Sequence, residues 1–230
     1  MKQNRDMCVF SGKNLKKKTD STRSHPKSIR FPKRSSEFAE FLGIFFGDGS
    51  TCESPPVVAI SLSYSREKEY ALFISKMVKR LFNVDAGLVE NKKVDNVQVR
   101  IYRVTLVRFF QKSIRKKAGV PRWVGRNATC LRAFLRGVMD AEGSVYRVER
   151  GKKRIRVEIK MHNEALLKDL CEALKTFGFH PRIYIKRKKV VLACQDEVDR
   201  YFNEICSHNP KHFKRYLSLR GKQSLNAPVV

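Results

Sequence analysis

The chain has 230 residues and a formal net charge of +27, from 49 Lys and Arg against 22 Asp and Glu. With 42% hydrophobic residues it is long and apolar enough to bury a core, so we expect it to fold. So large an excess of positive charge opposes compaction and is typical of proteins that bind a polyanion, and nucleic acid is the first expected partner. A membrane partner is not expected, because the sequence has no long apolar span and no signal-peptide pattern.

Cysteine usage indicates a reducing compartment. None of the six cysteines lies in a Cys-x-x-Cys pair, and the chain is too long for a disulfide scaffold. We therefore expect reduced, partly buried thiols in an intracellular, cytoplasmic protein.

The first segment, residues 1–35, is basic, contains Ser and Pro, and has few apolar residues. This composition fits a solvated tail, and it equally fits an arm that lies along a phosphate backbone.

A first unit, residues 36–125, begins with a predicted helix that is capped by a serine and ends at Asp48, with Gly49 as its C-terminal cap. Apolar residues recur at the helical spacing, at Phe38, Phe41, Leu42 and Phe45. The predicted elements that follow are a strand at 57–64, a helix at 66–82, a hairpin at 86–107 and a helix at 107–117.

A second unit, residues 126–230, repeats this order. Its predicted elements are a helix at 129–144, a hairpin at 145–161, a helix at 163–178, a hairpin at 182–194 and a helix at 197–207. The acid-Gly-Ser ending at Glu142 matches the one at Asp48, and later segments match in the same order. The pattern predicts an internal duplication with a period of roughly ninety residues, and hence a pseudo-dimer within one chain, α+β in class, with two αββαββα units.

Small residues in the two motif helices predict that the helices pack on each other. Gly43 and Gly47 share one helical face, and Gly137 and Ala141 share the same face of the second helix. Glycine inside a helix costs up to about 1 kcal/mol relative to alanine, and close approach of two backbones is a reason to keep it.

Parallel packing of these helices brings Asp48 and Glu142 together. Two carboxylates at the negative ends of two helix dipoles repel each other. The same array of oxygen atoms suits a hard divalent cation such as Mg²⁺, or Mn²⁺, which activates water beside a phosphodiester. Asp140 lies about 200° around the helix from Glu142, so we expect it to have a structural role.

The sequence resembles the LAGLIDADG homing endonucleases of the single-chain, two-motif type. "FLGIFFGDG" (41–49) and "LRGVMDAEG" (135–143) fit the nine-residue motif and place Asp48 and Glu142 at its catalytic acid. The likeness extends over about residues 36–217 and does not include the N-terminal segment. Phe41 and Arg136 differ from the Leu and Ala of the motif.

This resemblance implies a monomer whose antiparallel sheets form a saddle over double-stranded DNA. It implies cleavage of a long asymmetric site, with 3′ overhangs, and a divalent metal held by the two acids and the carbonyls of Gly47 and Ala141. It also implies basic residues near the metal, for which Lys117 and Lys214 are our candidates as charge stabilisers. Lys116 is expected to contact phosphate instead.

Alternation along the predicted strands separates apolar residues from a second face rich in cations and amides. The expected DNA-reading residues on that face are Gln98, Arg100, Tyr102, Arg154, Arg156, Lys160, Arg182, Tyr184 and Lys186. The leading hypothesis is a site-specific DNA endonuclease encoded by an intron. The alternatives are an intron maturase that binds RNA, and a DNA-binding regulator of the same fold that does not cleave.

Overall fold

The computed structural model describes residues 28–114, 119–148 and 154–221. Its first unit consists of α1 (Ser36–Asp48), β1 (Gly49–Glu53), β2 (Pro56–Ser63), α2 (Tyr64–Phe82), β3 (Gly87–Asn91), β4 (Asn96–Ile101) and α3 (Val104–Ile114). The short helix α4 (Arg122–Gly125) leads into the second unit.

The second unit repeats the order of the first. It consists of α5 (Ala128–Glu142), β5 (Gly143–Arg147), β6 (Ile155–Lys160), α6 (Glu164–Thr176), β7 (Arg182–Tyr184), β8 (Lys189–Leu192) and α7 (Gln195–Glu204), followed by α8 (Pro210–Arg220). The predicted pair of αββαββα units is therefore confirmed.

Each unit forms one antiparallel sheet of four strands, in the order β1-β2-β4-β3 and β5-β6-β8-β7. The two sheets have the same register: Gly49, which follows the first acid, pairs with Ile60, and Gly143 pairs with Ile159. Each outer hairpin turns through a short 3₁₀ segment that ends at a left-handed residue, Asp95 in one sheet and Lys188 in the other. The duplication therefore extends to the turns.

The core lies between the inner face of each sheet and the helices. In β4 the alternate residues Val97, Val99 and Ile101 are buried, and in β6 the same holds for Ile155, Val157 and Ile159. A cluster of aromatic rings fills the first unit, for example Phe41 against Phe82 at 5.3 Å and Phe45 stacked on Phe110 at 4.7 Å. These apolar contacts hold α1 in place.

Helix boundaries follow from the local caps. The Ser35 hydroxyl accepts from the Phe38 N–H and starts α1, and the Asn127 side chain accepts from the Cys130 N–H and starts α5. Gly49 caps α1 as expected, but its backbone is extended (φ −85°, ψ 144°) because the chain passes directly into β1. A methyl group on Gly49 would meet the carbonyl and ring of Phe45, so glycine is needed here for space.

The structure corrects three sequence predictions. The helix expected at 107–117 begins earlier, at Val104, because β4 already ends at Ile101. The alternation that we extended to Lys186 stops at Tyr184, where the backbone enters the 3₁₀ segment Ile185–Arg187. Helix α8 was not predicted. In the described part of the chain, no helix is long and apolar enough to cross a membrane.

Candidate active site at the ends of the paired helices

Helices α1 and α5 pack side by side in the same direction. A Cβ on Gly43 would lie 2.8 Å from the Val138 nitrogen, and one on Gly47 would lie 2.5 Å from the Ala141 Cβ. Contacts therefore advance together along both helices, as in a parallel pair. The last turns of the two helices meet, and so do their terminal acids.

Asp48, at the end of α1, carries a strongly perturbed carboxyl group. Burial raises its pKa to about 7, the negative charges of Glu142 and Glu67 add to that rise, and Lys211 opposes it. Such a shift marks a carboxylate whose negative charge is poorly compensated by the protein alone. Perturbation of this kind is typical of functional sites.

Glu142, at the end of α5, lies in a different environment. Burial raises the pKa of Glu142, and the charges of His162 and Lys160 oppose the rise. The two acids are therefore close to each other but have different neighbours, since Glu67 approaches the first and cations approach the second.

The donor set at these helix ends fits a divalent cation. In residues 28–114, 119–148 and 154–221, no three His, Cys, Asp or Glu side chains come together as a ready-made metal cage. Mg²⁺ does not need one, because it is usually held by one or two carboxylates, with water and substrate phosphate as further ligands. Asp48 and Glu142 supply two carboxylates whose mutual repulsion a cation would relieve.

Asp140 is completely buried and has partners within the protein. Its carboxylate accepts hydrogen bonds from the hydroxyl of Tyr70 (3.1 Å), the backbone N–H of His208 (3.0 Å) and the hydroxyl of Ser207. Burial raises the pKa of Asp140 to about 7, against the hydrogen bond from Ser207, which lowers it. The structure thus places Asp140 in a fixed internal network. Its counterpart in α1, Phe46, packs against the Phe134 ring of α5.

The start of α8 supplies residues to the site that sequence reasoning missed. Asn209, also fully buried, donates from its amide to the Asp140 carbonyl (3.0 Å) and to Glu67 (2.7 Å). Lys211 donates to the same Glu67 oxygen at 2.7 Å. Asn209 therefore ties the end of α5 to α2, and Lys211 brings a cation towards Asp48. The Asn-Pro pair at 209–210 is a helix-start pattern that could have revealed α8.

The peripheral lysines predicted from the sequence have different outcomes. Lys116 and Lys117 lie outside the described residues. Lys214 forms an exposed ion pair with Glu69 at 3.6 Å. The lysine whose charge acts on the pKa of Asp48 is Lys211, one turn of α8 earlier.

On the first sheet, the predicted DNA-reading residues are joined by hydrogen bonds. Gln98 donates to Ser61 (3.0 Å) and accepts from Arg100 (2.7 Å), and Arg100 donates to the hydroxyl of Tyr102 (3.3 Å). Gln98 and Arg100 lie on the face of β4 opposite the core, and Tyr102 follows the end of the strand. They form a polar row with fixed orientations.

On the second sheet, the outer face carries Arg156 and Lys160 of β6 and Arg182 and Tyr184 of β7, whereas Arg154 precedes β6 and Lys186 lies in the 3₁₀ segment after β7. Arg154, Lys160, Arg182, Tyr184 and Lys186 are exposed, and Arg156 is half-buried. Lys160, His162 and Lys186 line a groove of about 500 Å³ with Glu158 and with residues 187–189. Because Lys160 and His162 also act on Glu142, the groove adjoins the candidate site.

Comparisons with known proteins find two family models along the chain. A LAGLIDADG-like domain matches residues 129–206, and a WhiA LAGLIDADG-like domain matches residues 38–118. The two matches lie in different halves, in agreement with the duplication. No curated protein matches the chain.

Solved structures with the same architecture include the homing endonuclease I-DmoI and proteins named DUF199/WhiA. I-DmoI in complex with DNA and Mn is 19% identical, with a TM-score of 0.52 over 74% of this chain and 96% of that one. The N-terminal LAGLIDADG domain of DUF199/WhiA is 15% identical, with a TM-score of 0.55 over 76% of this chain and 83% of that one. Full-length DUF199/WhiA from Thermatoga maritima is 13% identical, with a TM-score of 0.55 over 86% of this chain and 64% of that one. At these identities the likeness establishes the fold.

Proposed function

Because the chain is a protein of the LAGLIDADG fold, with a LAGLIDADG-like domain in each half, we propose that it is a site-specific DNA endonuclease. In this proposal it is a monomer that makes a staggered double-strand break with the help of a divalent cation. The two units, 36–125 and 126–230, would each contact one half of the DNA site, and residues 1–35 would form a basic arm.

The observation that carries this proposal is the convergence of Asp48 and Glu142 at the ends of two packed helices. An arrangement kept only for stability would not place two carboxylates at the negative ends of two parallel helix dipoles. Burial and repulsion raise the pKa of Asp48 to about 7, which is a cost to the folded protein in the absence of a cation. Phosphodiester cleavage is the chemistry for which such a pair of acids is useful.

Each acid has a defined task in this proposal. Asp48 and Glu142, with the carbonyls of Gly47 and Ala141, would hold Mg²⁺ or Mn²⁺. Such an ion lowers the pKa of bound water and stabilises negative charge on a phosphate oxygen. Lys211, whose charge acts on Asp48, would attract the scissile phosphate and stabilise the charge that develops on it. Lys117 and Lys214 remain candidates for the same role.

The outer faces of the two sheets would read the DNA sequence. Gln98 and Arg100 on the first sheet, and the cations of the second sheet, have the hydrogen-bonding groups that recognise base edges in the major groove. The row from Ser61 to Tyr102 orients Arg100 before DNA arrives, which reduces the entropy lost on binding. The charge of +27 would supply affinity for the phosphate backbone.

A second candidate function is a DNA-binding protein of this fold that does not cleave. The match of residues 38–118 to the WhiA LAGLIDADG-like domain favours keeping this alternative. The presence of an acid at the end of both motif helices favours the endonuclease. An RNA-binding maturase could keep both acids, so RNA binding is the third outcome that an experiment must distinguish.

Selection of cleaved sites from a randomised duplex DNA library tests the proposal. With Mg²⁺, we expect cleaved DNA molecules whose cut sites share one long asymmetric sequence. With EDTA, we expect no cleaved DNA. If the protein binds duplex DNA selectively but does not cleave it in Mg²⁺ or Mn²⁺, the non-cleaving alternative is favoured. Tight binding of structured RNA, with neither cleavage nor selective binding of DNA, would favour the maturase.

A further inference from the structure

The outer faces of the two sheets differ in charge at one equivalent cross-strand pair. Since Gly49 pairs with Ile60 and Gly143 with Ile159, Ala59 of the first sheet is equivalent to Glu158 of the second. On the neighbouring strands, Arg100 pairs with Ala59, whereas Val191 pairs with Glu158. In this cross-strand pair, the first sheet therefore has an uncharged residue and a cation, Arg100, whereas the second sheet has an acid, Glu158, and an uncharged residue.

Glu158 is held in place by two contacts that both use one of its oxygens. Its Oε2 accepts from the hydroxyl of Tyr146 at 2.8 Å and from Nζ of Lys189 at 2.7 Å. The side chain is only 14% exposed, so it is fixed within the sheet surface. In the part of the chain that the structure describes, no group donates a hydrogen bond to the other oxygen, Oε1.

The surroundings of Glu158 are otherwise cationic. It lines the groove of about 500 Å³ beside Lys160, His162 and Lys186. An acid in such a groove weakens the attraction of the protein for phosphate. The ion pair with Lys189 is largely buried, and such a pair is a weak reason for keeping an acid there, because the cost of desolvating two charges offsets much of their attraction.

Bound DNA would cover this groove and exclude solvent from Oε1. A carboxylate oxygen that loses water without gaining a donor is costly, so the DNA must supply a donor at this point. On the major-groove edges of the bases, the donors are the N4 amino group of cytosine and the N6 amino group of adenine. Guanine and thymine present O6 and O4, which would repel the carboxylate.

We propose that Glu158 is a specificity-determining residue that accepts a hydrogen bond from the amino group of a cytosine or adenine in the half-site bound by the second unit. This inference rests on the proposed function, because it requires the sheet faces to contact the major groove. Tyr146 and Lys189 position the carboxylate for this contact. In the first half-site, Arg100, on the neighbouring strand of the equivalent pair, would instead select guanine.

Binding selection from a randomised duplex DNA library in EDTA, followed by sequencing, tests the inference. The wild type is expected to select cytosine or adenine at one position of the second half-site by about tenfold or more. Glu158→Gln, which keeps the size of the side chain, should admit guanine or thymine at that position, and Glu158→Ala should abolish the preference there. The matched control is Arg100→Ala, which should relax the preference in the other half-site.

The possible results separate this inference from the proposed function. If the wild type selects a sequence and both Glu158 variants keep the same preference at every position, the inference is wrong and the proposed function stands. If the wild type selects no sequence at all, both are wrong. Thermal unfolding of each variant, expected within a few degrees of the wild type, shows that the comparison concerns folded protein.

Discussion

Gly43 and Gly137 occupy reciprocal positions in the contact between α1 and α5. A methyl group on Gly43 would meet the carbonyl oxygen of Phe134, and one on Gly137 would meet the carbonyl oxygen of Glu40. In each case the obstacle is backbone, which cannot rotate away as a side chain can. The spacing between the helices, and hence the approach of Asp48 to Glu142, depends on these two missing side chains.

Gly137→Ala is therefore expected to destabilise the protein, despite the higher helix propensity of alanine. The added methyl group overpacks a rigid contact, and we expect the free energy of unfolding to fall by about 1–3 kcal/mol. Chemical denaturation measures this change. The control is Gly87→Ala, where the nearest obstacle to a Cβ is the Arg100 carbonyl oxygen at 3.9 Å. Equal effects of the two substitutions would contradict the packing argument.

Asp48→Asn is expected to change how stability depends on pH and on Mg²⁺. The folded state raises the pKa of Asp48 from 3.8 to about 7, so its carboxyl binds a proton more tightly when folded than when unfolded. The free energy of unfolding of the wild type therefore falls as the pH rises through that interval. Asp48→Asn removes this contribution and should be the more stable protein above pH 7 in EDTA.

Added Mg²⁺ should reverse that order. A cation that binds the folded state raises the melting temperature, and the variant lacks one of the two carboxylates that would hold it. Differential scanning calorimetry with and without Mg²⁺, at pH 5 and at pH 8, measures both effects. If the melting temperatures of the wild type and the variant depend on pH in the same way and rise equally with Mg²⁺, Asp48 is not part of a cation site.

Lys211→Met is expected to slow cleavage more than Lys214→Met. Lys211 bonds to Glu67 and its charge reaches Asp48, whereas Lys214 pairs with exposed Glu69. Removal of a positioned cation from a phosphoryl-transfer site typically costs a factor of about 100 or more in rate. Single-turnover cleavage of the selected DNA measures it. A larger effect at Lys214 would restore the assignment made from the sequence.

Much of this fold could be predicted from the sequence, because apolar residues recur along each helix and strand at the spacing typical of that element. The identity of Asp48 and Glu142 as the paired acids followed from matching the two helix ends. Glu67 and Asn209 could not be found in this way. Their side chains act through contacts across 142 residues of sequence, and no local spacing encodes such a contact.

The substitution of Arg136 for the small residue of the motif could not be explained from the sequence either. The structure shows that its guanidinium bonds to Glu40 of α1 at 2.6 Å, in a contact that spans the two units. Burial tends to raise the pKa of Glu40, but hydrogen bonds from His208 and Arg136 outweigh burial and hold that pKa below its ordinary value. Arg136, which replaces the small residue of the motif, therefore stabilises the contact between the two units.

Arg136→Met is expected to be strongly destabilising. It leaves the carboxylate of Glu40, only 4% exposed, with His208 as its remaining hydrogen-bonding side chain. Breaking one side of such a buried pair costs about 3–5 kcal/mol. Glu40→Gln combined with Arg136→Met should recover part of this loss. At the exposed pair of Glu164 and Lys168, Lys168→Ala should cost less than about 0.5 kcal/mol. Similar losses at the two sites would contradict the buried network.

The central claim, that Asp48 and Glu142 form one cleavage site, is tested most directly by strand-specific cleavage. Duplex DNA carrying the selected site, labelled on each strand, is incubated in Mg²⁺ with the wild type, Asp48→Asn and Glu142→Gln. The account predicts a staggered break with 3′ overhangs by the wild type, and at least a hundredfold slower formation of that break by each variant, with binding retained. Normal cleavage of both strands by either variant would contradict it.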